Sequence, residues 1–224
     1  QHLAPFDSAL NRLLEISIGG AIGLVVSLVV LPGRAQAQVG AAAARVLVLF
    51  ADLMPLLTAF DREHLQPQIT ELYDAILGAL AKLTTVIDEA RQERSSYLSN
   101  EPDPDPVGRT LHRLRADIIM FGRAITGRFP EPVHSRLVPS LTAVAASLAA
   151  HFRDSASAME ERRGPPSLDA VEREMAHYAR ELAALREEQL TRALSTDEVG
   201  RVFTVSFVLE QFRGNLRDLS SRMA

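Results

Sequence analysis

The chain reads as all-α: one N-terminal transmembrane helix followed by a cytoplasmic bundle of long antiparallel helices. Three observations predict this. Residues 16–31, ISIGGAIGLVVSLVVL, form an apolar run with no charge between Glu15 and Arg34. After it, apolar residues recur at spacings of three and four through several long segments, and no strand-like alternation of useful length competes. The composition has no Trp and only 3 Tyr and is heavy in Ala, Leu, Arg and Glu, which favours helices over sheets.

The apolar run holds about 18 uncharged residues, and a helix of that length spans roughly 27 Å, close to the hydrocarbon thickness of a bilayer. It lacks the polar stripe of an amphipathic surface helix. Gly19, Gly23 and Ser27 fall on one face, the small-residue stripe by which membrane helices approach closely. The competing reading is a helix buried in a soluble core. A signal peptide fits less well, because Asp7 and Glu15 precede the run and no small-residue cleavage site comes after it. The chain opens on Gln1 rather than Met, as expected of a piece of something longer.

Arg12 and Glu15 stand three apart on one side of the mouth of this span. They are the candidate polar pair of a substrate path, with simple interfacial anchoring as the alternative. Arg34 and Arg45 beyond the other end place that side in the cytoplasm by the positive-inside rule, with Arg12 counting against it. The expected division is a lead-in and transmembrane helix over 1–34 and a cytoplasmic helical domain over 35–224.

Residues 35–60 form the next helix, with Val39, Ala43, Val46, Phe50, Leu53, Leu57 and Phe60 in period; Pro55 should kink or end it. A second span is the alternative to a helix entering a cytoplasmic core. Ile69, Leu72, Ile76, Leu80, Leu83 and Ile87 mark a helix from Gln66 to Tyr97. The alternating prolines 102, 104 and 106 then require a loop. Leu111, Leu114, Ile118, Phe121 and Ile125 mark a helix over 107–126, and Leu137, Leu141, Val144, Leu148 and Phe152 one over 133–162. Gly164-Pro-Pro stops it, and Ser167 can cap the start of the next helix. The last two helices carry the seams Leu168, Val171, Met175, Tyr178, Leu182, Leu185 and Val202, Val205, Leu209, Phe212, Leu216, Leu219, Met223. Ser195 and Glu198 make a capping-box pattern before the second. The two helices are expected to form an antiparallel hairpin whose seams are buried against each other or against neighbours.

Little in the sequence points to chemistry. Zero Cys excludes disulfides and thiolate sites, and the net charge of −4 argues against a nucleic-acid partner. No two of the six His stand three or four apart, and Glu174-x-x-His177 is a single step where a di-iron bundle needs two. No phosphate loop or nucleophile elbow is present. No catalytic residue, metal or cofactor is therefore expected, and no enzyme. Arg109, Arg113 and Arg115 lead an arginine-rich segment that either pairs with acidic neighbours such as Glu101, Asp103 and Asp105 or meets anionic lipid headgroups.

Three stretches carry a resemblance: the run from Arg12-Leu-Leu-Glu through Leu31-Pro32, Leu111-His-Arg-Leu-Arg-Ala-Asp-Ile-Ile-Met-Phe-Gly-Arg, and Val202-Phe-Thr-Val-Ser-Phe-Val-Leu-Glu-Gln-Phe-Arg-Gly-Asn-Leu-Arg-Asp-Leu. In this order they resemble the C-terminal part of the fusaric acid resistance and aromatic acid exporter family. The resemblance covers about a third of the chain. It implies the last membrane helix and cytoplasmic tail of a bacterial inner-membrane efflux transporter. The partners implied are membrane lipid, upstream membrane helices absent from this sequence, and further copies of the chain in a homo-oligomer. The alternatives are a single-span, membrane-anchored interaction or scaffold module and a soluble helical protein whose apolar run is buried.

Overall fold

The computed structural model describes residues 5–30, 32–59, 63–97, 103–127 and 129–223, without side chains at 5–9, 24–30, 32–36, 95–97 and 193. Seven α-helices and one short 3₁₀ turn make up the described residues, and no strand occurs among them. The helices are α1 (Pro5–Val30), α2 (Pro32–Leu57), α3 (Gln66–Tyr97), α4 (Asp105–Ala124), α5 (Val133–Glu161), α6 (Asp169–Glu187) and α7 (Thr196–Met223). The 3₁₀ turn, Leu190–Ala193, joins the last two.

The three-four seams read from the sequence become the core. Phe50, Phe121, Phe152 and Phe212 are fully buried, together with Leu47, Leu53, Ile76 and Leu80. Burying side chains of this size contributes about 1.5–3 kcal/mol each. The buried residues of α2 to α7 form one continuous cluster. α2 is central: it packs along α3 and α5 and touches α4. Its pairing with α5 is antiparallel: Gly40 near the start of α2 faces the Met159 carbonyl near the end of α5, while farther along α2 Phe50 is edge-on to Phe152 at 5.6 Å between ring centroids and Arg153 bridges to Asp52 at 3.1 Å.

α4 is seated by two glycines. A Cβ on Gly108 would lie 2.7 Å from Ile87 of α3, and one on Gly122 would lie 3.2 Å from both Leu57 of α2 and the Tyr73 hydroxyl of α3. Close approach is thus built in at both ends of the helix.

The boundaries match the expected ones closely in α3, α5 and α7. The Ser195 hydroxyl accepts from the Glu198 N–H at 3.3 Å while the Glu198 carboxylate accepts from the Ser195 N–H at 2.7 Å, so the capping box forms as read. Ser167 Oγ accepts from the Asp169 N–H at 3.1 Å at the start of α6. Pro55 lies inside α2, which ends two residues later at Leu57; Phe60 and Leu31 lie outside the described residues.

The seams of the last two helices are buried, but α6 packs chiefly on α5 and α7 chiefly on α4, and the α6–α7 contact is slim. Spacing along a helix specifies that a face is buried, not which helix covers it. α6 and α7 do run antiparallel, with Arg217 bonded to Glu172 at 2.6 Å near one end and Arg186 over the Phe203 ring at 5.2 Å near the other.

Candidate functional site

α1 stands apart from the core. Every described side chain from Leu10 to Gly23 is exposed, and α1 touches only α2 to any extent among the described elements. Ile16 is 73% exposed and Leu13 67%, with Leu10, Leu14, Ile18 and Ile22 all above half. Single exposed apolar residues are ordinary, but six on one helix leave a continuous apolar surface of a kind that marks interaction sites.

The sequence-predicted residues of this region all lie on α1. Arg12 and Glu15 are both exposed on α1. Gly19 and Gly23 are exposed, and nothing lies within 4 Å of where their Cβ atoms would be. Ser27 is on α1, but its side chain lies outside the described residues.

α2 contains a stretch, Ala37–Leu57, that is long and apolar enough to cross a membrane; more than half of its most apolar window is buried inside the protein. That burial is against α3 and α5, as befits the central helix of a bundle.

Two arginines of α4 have carboxylate partners. Arg109 Nη1 lies 3.7 Å from Asp105, which also pairs with Arg91. Arg113 pairs with Asp218 of α7 and donates to the Thr110 hydroxyl at 2.9 Å. Arg115 is half-buried, and its Nε has no hydrogen-bond partner among the described residues. Of the acidic neighbours expected from the sequence, Asp105 takes the ion-pair role. Asp103 instead accepts from the Asp105 N–H at 3.1 Å at the start of α4, and Glu101 lies outside the described residues.

Sequence reading missed the polar ladder between α4 and α7. Thr110 Oγ1 donates to Asp218 at 2.6 Å, and one turn along Asn215 donates its amide to Asp117 at 2.6 Å. Phe121 meets Phe212 next. At the end of α4, Arg201 donates to the Ala124 carbonyl at 3.1 Å and the Gly127 carbonyl at 2.7 Å while lying 4.3 Å over the Phe129 ring. The Ala124 carbonyl is at the negative end of the α4 dipole, so the guanidinium is well placed there. The signal was present in the arginine-rich sequence, but the partners lie about a hundred residues away.

Other buried polar groups are scattered. The His151 ring, on α5, is held below its ordinary value by burial, against the raising effects of the Ser167 backbone and Asp154. Burial pushes the Tyr178 hydroxyl up to about 12. No group of three or more potential metal ligands occurs among the described residues. A half-open cleft of about 220 Å³ lies between the end of α6 and the start of α7, lined by Arg186, Thr191, Leu194, Val199, Val202 and Phe203. It falls below the roughly 300–1,000 Å³ of common small-molecule sites. No known protein family, curated protein or solved structure matches the chain.

Proposed function

We propose that the chain is the membrane-anchored C-terminal part of an efflux transporter of the aromatic or organic acid exporter type, in the bacterial inner membrane. On this reading α1 is its last membrane helix and α2 to α7 form a cytoplasmic support for assembly. The observation that carries the membrane assignment is the exposed apolar surface of α1 from Leu10 to Ile22, set against a bundle that buries its other seams. In lipid that surface costs nothing, whereas in water it is a liability. The transporter assignment rests on the resemblance carried by the three stretches that begin at Arg12, Leu111 and Val202.

Arg12 and Glu15 are the polar pair proposed to meet an organic anion at the mouth of the span, and Gly19, Gly23 and Ser27 the face on which neighbouring membrane helices pack. Arg109 and Arg113, whose side chains stay largely exposed beside their carboxylate partners, are proposed to meet anionic lipid headgroups. Arg115, half-buried and without a carboxylate partner among the described residues, is proposed to join them.

A second reading is a single-span interaction or scaffold module anchored by α1, with Ala37–Leu57, more than half buried in its most apolar window, kept in the bundle. Export by the full-length protein of the Arg12→Ala variant separates the two. With membrane level and assembly unchanged, the transporter reading expects loss of organic-anion export. Export of the variant equal to that of the unaltered protein overturns the role of Arg12, and no export by either supports the scaffold.

A further inference from the structure

Among the described buried residues Asp117 is the only carboxylic acid, 6% exposed in the α4–α7 seam. From α7, the Asn215 amide donates to it, and Asp218 stands one turn farther on. From α4 itself the nearest cation is Arg113, whose guanidinium is committed to Asp218 and Thr110. α2 and α3, the other helices packed on α4, approach it through Leu57, Tyr73 and Ile87 at its two glycines. No charged group from them acts on Asp117. The carboxylate is thus desolvated with one amide donor and a cation already paired to Asp218, an arrangement that favours the neutral acid.

We propose that the α4–α7 seam is a proton-operated latch, in which protonation of Asp117 seats α7 on α4 and ionisation loosens it. α7 is the helix free to respond, because its principal packing partner is α4 and its contact with α6 is slim. The inference is independent of the transporter reading.

Burial sets the sign. The Asp117 carboxyl is pushed up to about 6 from an ordinary 3.8, chiefly by desolvation, against the lowering effects of Asn215 and Arg113. A raised value means that the stabilisation is complete below 3.8 and is lost as pH rises through about 6. Between pH 5 and 7.5 the equilibrium for release of α7 should rise about ten-fold.

Hydrogen–deuterium exchange of the whole chain, corrected for intrinsic rates, measures this at the amides of α7, with those of α2 and α5 as internal reference. The expected result is an approximately ten-fold loss of α7 protection from pH 5 to 7.5, confined to α7 and its α4 face and absent in Asp117→Asn. Equal pH dependence in the two proteins, or an equal loss across α2 and α5, overturns the latch. If Asp117→Asn does not fold, the carboxyl-carbon NMR shift of Asp117 in the unaltered chain decides the matter. Titration near 6 with loss of α7 protection over the same pH range upholds the proposal; titration near 3.8, or titration near 6 with α7 protection unchanged, overturns it.

Discussion

The ring of Phe212 on α7 meets that of Phe121 on α4 edge-on, with centroids 6.3 Å apart and planes at 79°. Both are fully buried, and the pair sits between the polar rungs at Asn215 and the Arg201 clamp. This contact joins a helix from the middle of the chain to its last one.

Phe212→Asp places a carboxylate among the buried aromatic rings of that seam. The lost burial alone is about 3–5 kcal/mol for a large aromatic, and the buried charge adds to it. The expected outcome is detachment of α7, seen as a drop in the denaturation midpoint and loss of protection along the helix. In the exporter reading the amount of assembled transporter falls before substrate choice changes. A fully assembled variant with altered selectivity would make the bundle part of recognition rather than support.

A Gly19→Leu, Gly23→Leu double variant tests the small-residue face of α1. Both positions have open space around them in the isolated chain, so the helix itself should form normally, as circular dichroism would report. Assembly with other membrane helices should fail, because the added bulk separates the backbones. Unchanged assembly, read by cross-linking in membranes, would contradict this packing role.

His151 supplies a pH dependence of opposite sign to that of Asp117. Its folded value is lowered, chiefly by burial, and its Nε2 has no hydrogen-bond partner among the described residues. The unfolded chain therefore binds the proton more readily, and stability present above about pH 6.5 falls as pH drops below it. His151→Leu should remove this acid-side loss while keeping the fold. Because Asp117 acts against it, the difference between variant and unaltered protein in denaturation midpoint from pH 7.5 to 5 is the quantity to measure.

How much of this was legible in the sequence can be judged from particular elements. The seam Leu137, Leu141, Val144, Leu148 and Phe152 is buried along its whole length, because hydrophobic period is a direct consequence of helix geometry. The Ser195–Glu198 box was legible for the same reason: both partners are local. What spacing cannot carry is the identity of a distant partner. The seam of α7 pointed inward but did not name α4, and Arg113 did not announce Asp218. Asp117 looked like one acid among arginines, and only the crossing of α7 removes it from water. Gly108 and Gly122 likewise read as unremarkable until α2 and α3 close on them.

The central claim is that α1 lies in lipid, and cysteine accessibility tests it most directly. The chain has no native Cys, so single introduced thiols report without background. Ile18→Cys, at a position 51% exposed on α1, is compared with Lys82→Cys, at an exposed position on α3, in open membrane fragments treated with a membrane-impermeant maleimide. The account predicts rapid labelling at 82 and none at 18 until the membrane is dissolved and the protein denatured. Labelling at 18 as fast as at 82 would contradict it.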